Sequence, residues 1–137
     1  MSEQDNIAIV QQAYDNFKAG NIPALLALLS DDVDWQLPAM ENVPFAGKFT
    51  GRDGVGEFFA LVGTNQESLR FEGRETIAQG DKVASLGFYQ WRVKSTNREF
   101  SSDFCHIFTI RDGKIVAFHE FMDTAACANA YRKAMSA

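Results

Sequence analysis

The 137 residues contain two cysteines, three prolines, no block of basic residues and no long apolar run. Each shortage excludes something. Cys105 and Cys127 lack the paired spacing of a metal-ligand set and are expected as two buried thiols, so neither a metal nor another cofactor is expected. Lys and Arg total 13 against 18 Asp and Glu, which leaves no basic surface for phosphates and argues against nucleic acid as a partner. No segment stays apolar for the length of a membrane span, so no membrane partner is expected. The opening Met-Ser-Glu-Gln-Asp-Asn is polar and acidic, unlike a secretion signal, and predicts a cytoplasmic protein. There is no phosphate loop, dinucleotide fingerprint or nucleophile elbow; Gly51-Arg52-Asp53-Gly54 is read as the start of a helix.

The chain is rich in phenylalanine, with 12, which suits either a thick core or an apolar cavity. Its length suits one domain over residues 1–137. Ile7, Val10, Tyr14 and Phe17 form an apolar stripe on a helix from about Asp5 to Lys18, ended at Gly20. Asn21 caps a second helix, with Pro23 in its first turn and Leu25, Leu28 and Leu29 on its stripe, closed by Ser30-Asp31-Asp32. Val33 to Leu37 alternates as a short strand, and residues 39–50 read as a loop. A third helix runs from about Asp53 to Val62, with Val55, Phe58, Phe59 and Val62 on its stripe and Gly63 after it.

Four strands follow, Leu69 to Gln79, Lys82 to Lys94, Glu99 to Ile110 and Lys114 to Met122, then a short helix from Ala125 to about Lys133 capped by Asp123 or Thr124. Helices first and long antiparallel strands after them is an α+β order. On the second long strand Tyr89 and Trp91 alternate against Leu86 and Phe88, so both faces want cover. One face takes the helices, and the other is expected to take a second subunit, giving a homodimer through the sheet.

The last hairpin carries two ionisable groups on a greasy face. Phe104, His106, Phe108 and Ile110 share one side of their strand; Phe118, Glu120 and Met122 share one side of the next, with His119 on the other. A three-residue turn, Arg111-Asp112-Gly113, puts His106 opposite Phe118 and diagonal to Glu120; a two-residue turn puts it opposite His119. The first gathers the apolar residues on one face and is preferred. His106 and Glu120 then form an acid/base pair in an apolar pocket, or a core histidine in a structural ion pair. Asp123 is read as the helix cap.

Several stretches carry a resemblance: Ile9 to Asn21, Leu28 to Trp35, Phe45 to Val55, and Asp112 to Val116 continuing through Asp123-Thr124. Together they resemble the SnoaL-like branch of the NTF2-like (cystatin-like, ketosteroid isomerase-like) superfamily. The resemblance implies a cone-shaped fold in which three N-terminal helices sit in the concavity of a strongly curved, mostly antiparallel sheet, with a pocket at one end and a short C-terminal helix. Its members include polyketide cyclases, isomerases, epoxide hydrolases, dehydratases and scaffolds without activity. It implies that His106 matches the oxyanion-hole acid of the isomerases, or the histidine of the cyclases, and that Glu120 lies in the region of the cyclases' catalytic acid. The isomerases' general base falls on Leu37, which cannot take a proton, so steroid isomerisation by that route is nearly excluded. The isomerases' tyrosine aligns with Ala13 rather than Tyr14, a rotation of about 100° on the helix, and Tyr14 is read as a pocket hydroxyl. Epoxide hydrolysis needs two aspartates beside an arginine; Arg92 is available, the aspartates are not.

The reading is a cofactor-free enzyme acting by proton transfer on an apolar carbonyl compound, as an isomerase, cyclase or dehydratase. Catalytic candidates are His106, Glu120 and Tyr14. Trp35, Leu37, Phe58, Phe88, Phe104, Phe108, Phe118 and Met122 are expected as walls, with Gln90 and Arg92 as polar anchors if Leu86 and Phe88 face the pocket. The alternatives are a non-catalytic module for a small apolar ligand, or a dimeric scaffold without one.

Overall fold

The structure, a computed structural model, describes residues 2–132. In order it comprises α1 (Glu3–Lys18), α2 (Ile22–Leu26), β1 (Leu29–Gln36), β2 (Lys48–Thr50), α3 (Gly51–Asn65), β3 (Gln66–Gln79), β4 (Lys82–Val93), β5 (Glu99–Arg111), β6 (Lys114–Met122) and α4 (Thr124–Tyr131). The strands form one curved sheet in the order β2-β1-β6-β5-β4-β3. Every pairing is antiparallel except that of β1 with β6. Ile9, Val10 and Ala13 of α1, Leu25 of α2, and Val55, Phe58 and Val62 of α3 are buried with the inward residues of the sheet in a single core. This is the expected α+β architecture.

The helix ends follow from local chemistry. Ser2 and Asp5 form a reciprocal capping box at α1, and Gly20, at φ 72°, turns the chain away after it. The Asn21 side chain caps α2 by accepting from the Ala24 amide. Asp123 caps α4, its carboxylate accepting from Ala126 N–H at 3.0 Å.

Several boundaries differ from the sequence expectation. The second helix stops at Leu26, because Leu29 is already the first residue of β1 and pairs with Ile115; the sheet satisfies the backbone that the helix would have used. Residues 48–50, expected as loop, form β2 against β1. Helix α3 begins at Gly51 and runs past Gly63 to Asn65, and β3 starts at the next residue. Lys133, the expected end of the last helix, lies outside the described residues.

The turns decide which side chains face inward. Between β5 and β6 the turn has two residues, Asp112 and Gly113, both with positive φ (51° and 76°), the geometry that matches strand twist. Alone it would set His106 opposite His119. A bulge after the turn pairs Ile110 with Ile115 and Thr109 with Ala117, leaving Val116 unmatched. The shift sets His106 opposite Glu120. The preferred three-residue turn is therefore corrected, although the face it assigned to Glu120 is the observed one.

Between β4 and β5 the loop is one residue longer than expected. Val93 N–H donates to Arg98 O and Asn97 N–H to Val93 O, so four residues, 94–97, lie between the bonded Val93 and Arg98, with Asn97 at φ 60°. One residue of slip reverses every side chain. Ser85, Gly87, Tyr89, Trp91 and Val93 therefore face the helices, while Phe88 and Arg92, expected as wall and anchor, face outward. Phe88 lies under the Arg70 and Arg74 guanidinium groups, 5.4 and 5.0 Å from its ring. Arg92 pairs with Glu67 and with Asn97. Gln90 shares that outer face and bonds Glu99. Among the described residues no helix is long and apolar enough to cross a membrane.

Candidate functional site

Between the helices and the concave face of the sheet lies a cavity of about 80 Å³, room for several waters. Its lining is almost wholly aromatic and aliphatic, and includes Trp35, Leu37, Phe58, Phe108, Phe118 and Met122. These six were expected there. Trp35 from β1 stacks on Phe118 from β6 at 4.0 Å, a consequence of the parallel pairing that sets the two residues side by side. Phe104, also expected as wall, sits behind the lining, stacked on the His106 ring at 4.1 Å and 15°.

Into this apolar shell four polar side chains project from four elements. His106 comes from β5 and Glu120 from β6, directly opposite each other, with Nε2 2.9 Å from Oε1. Tyr14 descends from α1, its hydroxyl 2.7 Å from Nδ1 of His106. Tyr89 of β4 donates to the other Glu120 oxygen at 3.1 Å. His106 is 4 % and Glu120 9 % exposed, so the pair is shielded from bulk water.

The hydrogen bonds have a consistent direction. Burial pushes the Tyr14 hydroxyl well above the ordinary phenol range; nearby Ser85 pulls the other way and the Glu120 charge pushes it further up. Tyr89 is raised by burial first and then by Glu120. Both phenols therefore remain donors. With Tyr14 donating to Nδ1, the ring proton sits on Nε2 and is donated to Glu120, whose second oxygen accepts from Tyr89. Every member is satisfied, as a buried network must be. Chemically, this places an imidazole between a carboxylate and a phenol, a geometry suited to accepting and returning a proton within a water-poor cavity.

Gly87 makes room for this arrangement. A Cβ there would stand 2.2 Å from Glu72 O and 2.4 Å from Cζ of Phe104. The bare backbone lets Phe104 lie flat beneath the imidazole. Cys127, also on the cavity wall, is fully buried; burial, with Glu120 adding to it, pushes its thiol up to about 12, which removes it as a nucleophile near neutrality. Cys105, expected to be buried, is only partly so. Trp35 Nε1 is sealed off without a hydrogen-bond partner among the described residues.

The sequence reading missed Tyr89, Trp91 and Gln66 as cavity residues. For the first two the available signal was Gly87: a glycine inside a strand marks a close approach on its own face, and Tyr89 and Trp91 share that face. Gln66 had no comparable signal, since it lies at the junction of α3 and β3. His119 is on the outer face beside Phe121, with the rings 4.3 Å apart.

Comparison with known proteins agrees with this architecture. Residues 10–118 match the model of the SnoaL-like domain. The chain is similar to an NTF2-like protein from Burkholderia xenovorans LB400, with a TM-score of 0.88 and 33% identity over 96% of this chain and 99% of that one. It is similar to an NTF2-like protein from Burkholderia pseudomallei K96243, with a TM-score of 0.87 and 28% identity over 97% and 100% of the two chains. It also resembles TerC, whose structure was obtained with polyporic acid, with a TM-score of 0.80 and 31% identity over 93% and 98%. No match was found among curated protein sequences. The helices, the mixed curved sheet, the buried cavity and the family match together show that this chain belongs to the SnoaL-like family, on the NTF2-like fold.

Proposed function

We propose that this protein is an enzyme that moves a proton on an apolar carbonyl compound, in the isomerase, cyclase or dehydratase class. The observation that carries the reading is His106, held at 2.7 Å from Tyr14 and 2.9 Å from Glu120 on the wall of an otherwise apolar cavity. Glu120 is the base that takes a proton from the carbon beside the carbonyl. Tyr14, or protonated His106, donates to the carbonyl oxygen as it gains charge. The similarity to TerC, whose structure was obtained with polyporic acid, supports a small organic ligand for the cavity. Leu37, buried in the cavity wall, leaves no base at that position. The outer face of the sheet, with Phe121 and Ile77 exposed, is proposed as a homodimer interface, tested by light scattering of wild type against Phe121→Lys.

A second reading has its own support. Both nitrogens of His106 and both oxygens of Glu120 already have protein partners. A network closed on itself suits a module that binds an apolar carbonyl ligand without turnover.

The two readings separate on one experiment. His106→Ala and Glu120→Gln are titrated with apolar aryl ketones and assayed for deuterium exchange at the carbon beside the carbonyl. Exchange by wild type that falls about 100-fold or more in both variants, with binding changed far less, supports catalysis. Binding without exchange in wild type supports the module, and no effect of either substitution on binding or exchange removes both assignments.

A further inference from the structure

We infer that a row of side chains across the sheet, Thr76, Ser85, His106 and Glu120, forms with Tyr14 a proton path that joins the buried pair to a solvent-facing groove between α1 and β3. The path sets the protonation of the pair without opening the apolar cavity, and it does not depend on the enzymatic reading above.

The strand registers bring these residues into one line. Thr76 of β3 pairs with Ser85 of β4, Ser85 with His106 of β5, and His106 with Glu120 of β6. Residues paired across strands point to the same side of a sheet, and Ser85, His106 and Glu120 are all buried on the inward face. The neighbouring inward rows hold no polar side chain. One consists of Gly73, Gly87, Phe104 and Met122. The other consists of Ala78, Val83, Phe108 and Phe118. A hydroxyl such as Ser85, 1 % exposed in this setting, costs free energy unless it is hydrogen-bonded, so core packing alone does not call for a polar file between two apolar ones.

The file begins in the open. A groove of about 270 Å³ lies between α1 and β3, and Thr76, Ser85 and Tyr14 line it. Its rim is exposed and charged, with Asp15 and Lys18 on α1 and Arg74 and Glu75 on β3. Gly73 keeps it clear: a Cβ there would come to 3.8 Å from Cδ2 of Tyr14 and cover the edge of the ring. Among the described residues Tyr14 alone lines both the groove and the apolar cavity. Its hydroxyl is 2.7 Å from Nδ1 of His106, and Ser85 is near enough to pull on the same hydroxyl.

One inward pass balances at every atom. A hydronium ion in the groove gives a proton to the Ser85 oxygen and is left as water. Ser85 gives its own proton to the Tyr14 oxygen, Tyr14 gives its own to Nδ1 of His106, and Nε2 gives its own to Glu120. Each hydroxyl gains one proton and loses one, the ring proton moves from Nε2 to Nδ1, and the carboxylate becomes the acid. The reverse pass restores it.

The test reads hydroxyl protons by NMR in the protein without ligand, so failure of the enzymatic reading leaves it intact. Tyr14 and Tyr89 both donate into the network, but of the two only Tyr14 borders the groove. Their hydroxyl signals are assigned by loss in Tyr14→Phe and Tyr89→Phe, and exchange with water is measured by saturation transfer. In wild type the Tyr14 proton should exchange about tenfold or more faster than the Tyr89 proton. Ser85→Ala should slow the Tyr14 proton about tenfold and leave Tyr89 unchanged; Ser85→Thr, which keeps the hydroxyl, should restore the rate. Thr76→Val, at the half-buried mouth of the file, should slow the Tyr14 proton about threefold and tests the path without a core substitution. Equal rates for the two phenols in wild type overturn the inference, as does a Tyr14 rate unchanged by Ser85→Ala or by Thr76→Val. A slowing that Ser85→Thr does not reverse, or that Tyr89 shares equally, overturns it too, because the change would then report opening of the core.

Discussion

His106 and Glu120 face each other across β5 and β6 with 2.9 Å between Nε2 and Oε1, and a single unmatched residue, Val116, is what places them so. Without the bulge the two-residue turn would have aligned His106 with His119, and the carboxylate would have been offset from the imidazole. The site therefore depends on a local irregularity as much as on the two side chains.

The tautomer of His106 is open to direct measurement. Tyr14 donates to Nδ1, which leaves the ring proton on Nε2 facing Glu120. Nitrogen-15 NMR of wild type at neutral pH should show an unprotonated Nδ1 and a protonated Nε2. In Tyr14→Phe the Nδ1 acceptor loses its donor, the tautomers should mix, and stability should fall by roughly 1 kcal/mol. An unchanged spectrum in Tyr14→Phe would show that Tyr14 does not set the tautomer.

Gly87→Ala should be poorly tolerated. The new methyl meets the β3 backbone at Glu72 O, 2.2 Å away, as well as the Phe104 ring, and the sheet has little freedom to move. Overpacking of this kind costs about 1–3 kcal/mol. The melting temperature should fall by several degrees, and adding Phe104→Leu should restore only part of the loss, because the backbone contact remains. Full rescue by Phe104→Leu would place the constraint on the ring alone.

Stability should decline in alkali. Cys127 keeps its proton to about 12 when folded, against about 9 for a free thiol. The unfolded chain therefore releases that proton first as pH rises. The contribution is fully present below pH 9 and is lost progressively toward pH 12, on the order of 4 kcal/mol from this group. Tyr14, Tyr89 and Tyr131, all raised by burial, act in the same direction from about pH 10 upward. Urea midpoints measured between pH 8 and pH 10 should fall less steeply in Cys127→Ala than in wild type; identical slopes would contradict the assignment.

Asp123 separates a structural carboxylate from the cavity pair. It caps α4 through the Ala126 amide. Asp123→Ala should destabilise the protein by about 1 kcal/mol and leave ketone affinity unchanged, whereas Asp123→Ser, which keeps a cap, should retain most of the stability. A loss of affinity in both variants would assign Asp123 a place at the cavity.

Much of this protein is determined locally and is therefore legible in the sequence. The α1 stripe, the Asn21 and Asp123 caps, the Asp112-Gly113 turn and the alternation of β5 and β6 each depend on residues within a few positions of one another. They define an α+β order and put His106 and Glu120 on apolar strand faces. What the tertiary structure alone decided are offsets of one residue and contacts between distant segments. The four-residue loop before Arg98 turned Tyr89 and Trp91 inward and Phe88 and Arg92 outward, and the bulge at Val116 brought Glu120 to His106. Alternation has a period of two, so a strand reveals its two faces without revealing which one meets the helices; that choice is made by the register with its neighbour. The Gln66–Tyr131 bond had no trace in the chain at all, because it joins the end of α3 to α4 across the whole sheet sequence, and only the packing of those two elements on one cavity brings them together.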